Sequence, residues 1–243
     1  MLSVTLLLMI SNTVLAGVPF VTDDPEPVEH KDLEVNYALS KTWRNNAASA
    51  SIPSIDLNYG FTPNLQLHAQ PRFSYEREGA EGNYGIDNIE IGVKYRFINN
   101  ESNGSNYMVG IYPMLQLPTG DKRLGGVRGK MQLFLPVWAQ YNKENWTMYG
   151  GTGYRINRSE DSKNSWFFGG VILYKLTNKF KMGGEVFRET STTTGERGTA
   201  GFNLGGIYNL KEDYSVLFSA GKGISNISST NKLSAYIGLQ VIY

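Results

Sequence analysis

The chain has 243 residues, 23 basic against 22 acidic side chains, 27 glycines, 15 tyrosines and no cysteine. A formal net charge of +1 excludes the electrostatic footprint of a nucleic-acid binder. The lack of cysteine removes disulfides, thiolate nucleophiles and sulfur-ligated metals, and past the first 16 residues no run of about 18 apolar residues offers a helical membrane span.

Residues 1–16, MLSVTLLLMISNTVLA, read as a secretory signal peptide. The run Val4–Ile10 has the length of an apolar h-region, and Val14-Leu15-Ala16 supplies the small residue a signal peptidase needs, although no basic residue precedes the run. The alternative is a buried amino-terminal strand. With cleavage, Gly17 is the first mature residue, and an exported chain without cysteine fits a bacterial envelope protein. Residues 17–31 are rich in proline and acid, a poor strand and a poor helix.

From residue 32 to 243 the chain alternates apolar and polar side chains, as a strand between lipid and a wet lumen must. Such segments fall near 32–43, 51–60, 65–75, 86–97, 107–117, 131–141, 146–156, 166–176, 180–189, 199–208, 214–223 and 232–243. The last puts Leu233, Ala235, Ile237, Leu239, Val241 and Tyr243 on one face. Each is long enough to cross a bilayer at a tilt, where soluble sandwich strands run to about five or six residues. The expectation is an all-β fold, a single transmembrane antiparallel β-barrel of about 12 strands. Strand 166–176 is the least regular, with Phe167, Val171 and Leu173 opposing Phe168, Ile172 and Tyr174.

With both termini periplasmic, one set of connections is short: 61–64, 142–145, 177–179 and 209–213. The other set is longer and more polar: 76–85, 118–130, 157–165, 190–198 and 224–231. Short periplasmic turns and longer outer loops are the outer-membrane pattern. Connection 98–106 (INNESNGSN) breaks it, being long on the short side. Aromatics such as Trp43, Tyr95, Phe97, Tyr141, Trp146, Trp166 and Tyr208 sit near strand ends, as an interfacial girdle or through ordinary strand propensity. The terminal Tyr243 resembles the insertion signal that outer-membrane barrels present to the barrel assembly machinery.

Five segments resemble one family in order along the chain: Pro19–Pro27 (PFVTDDPEP), Tyr84–Phe97 (YGIDNIEIGVKYRF), Leu117–Asp121 (LPTGD), Gly184–Phe187 (GEVF) and Gly201–Tyr208 (GFNLGGIY). The chain is similar to the transporter-like outer-membrane proteins grouped under a phenol-degradation MetA-pathway name. The resemblance implies an outer-membrane barrel passing small organic molecules. It brings no catalytic residue and no cofactor.

Twelve strands leave a narrow lumen, or one wide enough to be plugged. Segment 17–31 is expected either to enter the barrel and pair Asp23, Asp24 and Glu26 with lumen-phase Arg72, Lys94, Arg96, Arg155 or Lys181, or to hang as a periplasmic tail. A cation site at Asp23, Asp24 and Glu26 lacks a dedicated loop pattern, so no metal is assigned. Lumen-phase Glu34, Asp56, Glu90, Glu185 and Glu189 oppose the basic set, and interleaved pairing is favoured over two opposed charged walls. Arg72, Glu90, Lys94, Arg96 and Glu185 are the candidates for lining a solute path. Loop 118–130, with Lys122, Arg123, Arg128 and Lys130 against Asp121, is read as touching lipopolysaccharide phosphates, folding inward, or standing solvated.

Enzyme chemistry is not expected. His68 and Ser74 share a strand face but lie six residues apart, roughly 20 Å at about 3.3 Å per residue, too far for a dyad. His30 lies in the amino-terminal segment. The reading is a bacterial outer-membrane channel for small, hydrophobic or aromatic molecules by passive diffusion, contacting outer-membrane lipid and lipopolysaccharide. The alternative is a non-transporting structural or adhesive barrel.

Overall fold

The structure, a computed structural model, describes residues 18–124, 130–158, 162–227 and 231–243. Residues 1–16, read from the sequence as a signal peptide, and Gly17 lie outside the described residues, as do parts of three loops, Arg128 among them.

The described residues form a closed antiparallel barrel of twelve strands. These are β1 (Leu33–Trp43), β2 (Ala47–Thr62), β3 (Leu65–Gln70 continued by Arg72–Glu78), β4 (Glu81–Ile86 continued by Glu90–Ser102) and β5 (Ser105–Ile111 continued by Met114–Gln116). They are followed by β6 (Gln132–Lys143), β7 (Trp146–Asn157), β8 (Ser165–Thr177), β9 (Phe180–Glu189), β10 (Thr199–Lys211), β11 (Tyr214–Ser225) and β12 (Leu233–Ile242). Each strand pairs with its sequence neighbours, and β1 closes on β12 from Glu34↔Ile242 to Trp43↔Leu233. The seam is sealed at its lower end by two backbone hydrogen bonds, Leu33 N to Tyr243 O at 3.1 Å and Tyr243 N to Leu33 O at 3.0 Å.

The interruptions have local causes. Pro71 has no N–H to give the ladder, so β3 breaks there, while its carbonyl still accepts from Ile55 N at 3.1 Å. Pro113 breaks β5 in the same way, and its carbonyl takes Val93 N at 3.1 Å. At the kink in β4 the Asp87 carboxylate turns back onto Asn88 N at 2.8 Å and takes the Ser74 hydroxyl at 2.7 Å.

Burial follows the two-residue period in the sense a membrane barrel demands. Asn36, Asp56, Asn58, Gln66, Gln70, Glu90, Lys94 and Glu185 are buried inside, while Leu39, Phe73, Ile91, Val137, Ile172, Leu204 and Ile237 are exposed outside. A water-soluble barrel would have these faces reversed. The irregular strand resolves cleanly: Phe167, Val171 and Leu173 of β8 face inward, and Phe168 and Ile172 face outward.

Two connections differ from the sequence reading. Residues 98–106 are not a long periplasmic loop; β4 runs to Ser102 and β5 restarts at Ser105, with Asn103 (φ 50°) and Gly104 (φ 71°) between them. Both φ values are those a tight two-residue hairpin requires, which Asn-Gly supplies at little cost. Among the described residues every turn on the terminal side then has two residues: 63–64, 103–104, 144–145, 178–179 and 212–213. On the opposite side, 76–85 is not a free loop either. It stays paired to the tip at Gly79, Glu76 against Ser49 and Glu78 against both Ala47 and Glu81.

The lipid-facing phase gives a direct test. Leu204, 57% exposed in mid-β10, contacts no protein layer outside the wall. Leu204→Arg should destabilise the barrel in phospholipid vesicles by about 2–4 kcal/mol in reversible denaturant unfolding. A change within about 0.5 kcal/mol, the behaviour of a water-exposed site, would contradict the membrane-facing assignment.

Candidate functional site in the barrel lumen

Before β1 the chain turns back into the barrel. Val18–Lys31 touches residues spaced around the whole wall: Gln66 of β3, Lys94 of β4, Gln140 of β6, Glu185 of β9 and Ser219 of β11. Contacts on so many strands of a closed ring place the segment inside the lumen.

Three polar clamps hold it. The Glu185 carboxylate accepts Thr22 N at 2.6 Å and Val21 N at 3.2 Å, and also takes the Asn203 amide at 2.5 Å. A charged acceptor thereby satisfies two backbone donors that the irregular segment cannot pair itself. The Lys94 ammonium lies 3.0 Å from Asp23 Oδ1 and 3.4 Å from Asp24 Oδ1, donates to the Glu26 carbonyl at 3.4 Å, and sits 5.0 Å from the Tyr112 ring centre. Nearer the terminal side, Val28 N donates to Gln66 Oε1 at 2.9 Å and Gln140 Nε2 to Glu26 Oε2 at 2.9 Å.

Apolar packing completes the seat. Phe20 is fully buried with Val171 and Leu173, and Val21 packs against Tyr112, Met114, Phe134, Trp138 and Phe167. Val18 meets Ala38, Leu217 and Tyr236. Glycines make the close approach feasible: a Cβ on Gly169 would run into Thr22 Oγ1, and one on Gly60 into the Glu29 carbonyl.

Where the other lumen charges meet, they interleave rather than form opposed walls, while Glu34 accepts from the Asn36 amide at 3.0 Å. His68 bridges β2 and β4, its Nδ1 3.0 Å from Asp56 Oδ1 and 3.0 Å from Asn58 Oδ1, its Nε2 3.6 Å from Glu90 Oε1. Gln116 Nε2 donates to Glu90 Oε2 at 3.1 Å. Arg155 Nε lies 3.0 Å from Glu189 Oε1 and its guanidinium covers the Phe134 ring at 4.5 Å. Arg72 Nε is 3.8 Å from Asp87 Oδ2.

Of the five residues read as a solute path, Lys94 and Glu185 meet the amino-terminal segment directly. Glu90 lies in the His68 cluster and Arg72 lines a cavity on the opposite side of the segment. Arg96 instead folds onto the terminal-side rim, donating to Pro63 O at 2.9 Å and to Asn64 Oδ1 at 3.1 Å. Asp23, Asp24 and Glu26 are all in the lumen, and Asp23 and Asp24 pair with Lys94 rather than gathering as an acidic ligand set. Among the described residues no group of three His, Asp or Glu is placed to hold a metal ion.

The cavity opens toward the long-loop end and holds about 1350 Å³ of empty space, open mouth included. Its floor is Pro19 and Val21, and its wall is rich in hydroxyls, among them Ser40, Thr42, Ser49, Ser51 and Ser54. In the loop after β5, Arg123 grips Asp121 through two nitrogens, and these hydrogen bonds lower the pKa of that carboxyl to about 2. The lumen is thus an open outer vestibule that ends on the amino-terminal segment.

Comparison with solved structures finds the same fold in an outer membrane channel from Pseudomonas putida F1, with TM-score 0.71, 15% identity, 89% of this chain and 96% of that chain covered. The KdgM porin follows at TM-score 0.57 and 10% identity, and the NanC porin at 0.56 and 9%, each covering 86% of this chain and 98% of its own. A search of curated proteins finds no match. A family model described as "Putative MetA-pathway of phenol degradation" matches residues 32–233, from the start of β1 into β12, and the chain belongs to that family.

Proposed function

We propose that the protein is a channel of the bacterial outer membrane for small molecules, and that Val18–Lys31 is its internal plug. The observation that carries the reading is the vestibule ending on a segment held by Lys94 and Glu185. A barrel with a purely structural role has no need of an open cavity stopped by a separately clamped strap. The fold shared with one outer membrane channel and two porins agrees with passage of solutes.

The solute path runs from the hydroxyl-lined vestibule to the aromatic patch of Tyr112, Phe134, Trp138 and Phe167 beside Val21. The vestibule offers hydroxyls together with the charged groups of Arg72, Glu76, Asp87 and Glu189 for a polar end, and aromatic faces favour apolar bodies. The combination suits small organic molecules carrying an aromatic or aliphatic part, moving by passive diffusion. Hydrolysis has no support in the site, because His68 is engaged by Asp56, Asn58 and Glu90 rather than by a serine.

Planar-bilayer recording of the processed chain with and without residues 18–31 tests the reading. Discrete steps that grow on truncation are expected. A silent bilayer in both forms, with a folded barrel confirmed by heat-modifiable gel mobility, would favour the structural alternative.

The Lys94 clamp makes a separate prediction. Lys94→Met leaves Asp23 and Asp24 without their cation and should cost about 3–5 kcal/mol in segment docking, read as protease access to residues 18–31. Adding Asp23→Asn should recover at least ~1 kcal/mol of that loss. Equal protease access in wild type and Lys94→Met would show that the ion pair does not hold the segment.

A further inference from the structure

Lipid-facing strand positions in a membrane barrel are normally apolar, and a cation placed there is costly unless it lies at an interface or meets an anion. Four basic residues point outward on one side of the barrel, all toward the long-loop end, three of them in the wall, where they break this rule, and one, Arg77, in the hairpin that extends beyond it. They are Lys41 of β1, Arg77 of β3, Arg188 of β9 and Lys222 of β11.

Their outward phase follows from the ladders. Lys41 and Trp43 alternate with exposed Tyr37 and Leu39. Arg77 stands opposite Ala48, itself paired with Trp43. Lys222 pairs with Phe202, which pairs with Val186, and Arg188 lies two residues beyond Val186. Trp43 pairs with Leu233, which follows directly on the Ser234↔Gly221 pair beside Lys222. Because the strands tilt by about 40°, ladder partners are not at equal height. Lys41, Lys222 and Arg188 come near one level over five adjoining strands, about 20 Å of wall at roughly 4.8 Å per strand, and Arg77 stands roughly 10 Å nearer the long-loop end. Lys41 and Lys222 are two strands apart, about 10 Å, and form the centre.

None of the four makes an ion pair among the described residues, and Arg77, Arg188 and Lys222 are exposed. In the wall the acidic residues near Arg188 turn inward, Glu189 lining the vestibule and Glu185 holding Thr22, and Glu76 beside Arg77 also lines the vestibule, while Glu78 is exposed at the hairpin tip. Lys41 lays its ammonium 5.0 Å from the Trp43 ring centre, toward the strand's outer end, so its stem covers apolar wall while its charge reaches the interface. On the opposite side, the outward positions of β6 and β8 at this level are Leu135, Val137, Trp166 and Phe168, all exposed and none charged.

We propose that this face, centred on Lys41, Trp43 and Lys222 and flanked by Arg77 and Arg188, is a docking surface for the phosphate groups of a phosphorylated glycolipid of the outer leaflet, the lipid A part of lipopolysaccharide. Charge complementarity fixes the occupant. A row of unpaired cations at one lipid interface needs an anionic headgroup, with acyl chains that lie along Leu39, Leu204 and Ile237 below it. The surface is separate from the lumen, and it rests on the outer-membrane placement proposed above.

Native mass spectrometry of the folded full barrel, released from phosphatidylcholine vesicles doped with bisphosphorylated lipid A, tests the surface. At least one lipid A should stay bound. Lys41→Gln with Lys222→Gln should lower retention roughly 10- to 30-fold, at about a factor of five per basic residue near an anionic surface. Lys179→Gln with Lys211→Gln, at the opposite rim, should leave it unchanged. Dephosphorylated lipid A should bind no better to wild type than to the Lys41/Lys222 variant. Equal retention of phosphorylated and dephosphorylated lipid, or equal retention by both double variants, would overturn the proposal. A chain that enters no vesicle at all would count against the membrane placement itself, and against this surface with it.

Discussion

Everything in this structure depends on the pairing of β1 with β12. Inside a bilayer an unpaired N–H or carbonyl has no water to turn to, so an open sheet edge cannot persist there. The ten-residue register from Glu34↔Ile242 to Trp43↔Leu233 removes the last edge, and Tyr243 closes the final pair of bonds with Leu33. Closure sets the side-chain problem for the rest of the chain. One phase of every strand must satisfy lipid, and the other must fill a lumen of fixed width.

The lumen is filled by two different kinds of chemistry. Over β2 to β4 it is a polar network in which His68 stands between the carboxylates of Asp56 and Glu90 and beside Asn58. Over β5 to β8 it is aromatic and aliphatic, with Phe134, Trp138 and Phe167 in edge-on contact and Tyr112 and Met114 in the same cluster. The amino-terminal segment fits between them because it presents both kinds of side chain, Asp23 and Asp24 to Lys94 and Val21 to the aromatic patch. Its backbone donors would otherwise be stranded, and Glu185 answers for two of them. A strap held by side-chain hydrogen bonds and the apolar contacts of Val18, Phe20 and Val21, with no ladder of its own, can be displaced without disturbing the ladder around it. That difference in strength between wall and strap is the physical basis for reading the strap as a plug.

Most of the wall was legible in the sequence, and the reasons it was legible also explain the misses. Alternation marked the strands well wherever lipid on one side and polar filling on the other give each residue its face; β8 was the exception, because its inward Val171 and Leu173 pack on Phe20 and are apolar too. The connection 98–106 was misread because its polar residues look like a loop, although Asn103-Gly104 carries the signature of a two-residue turn. The hairpin around Gly79 was misread for the same reason: outside the membrane a strand can be polar on both faces and still pair. Lys94 and its acidic partners could be anticipated from phase and charge. The use of Glu185 to bind backbone amides could not, because nothing in a carboxylate's position reveals that its partner is main chain. Nor could the role of Gly169 or Gly60, which matter for what lies across the lumen rather than along the strand.

The central claim is that the segment ending at Lys31 governs passage through the barrel. The chain lacks cysteine, so a single pair introduced as Asp23→Cys and Lys94→Cys can be bridged by a cleavable bifunctional thiol reagent in place of the ion pair. Single-channel current should be recorded before and after cleavage of the bridge. The account predicts a closed channel while the bridge is intact and discrete steps once it is cut. The same conductance in the bridged and cleaved states would contradict it.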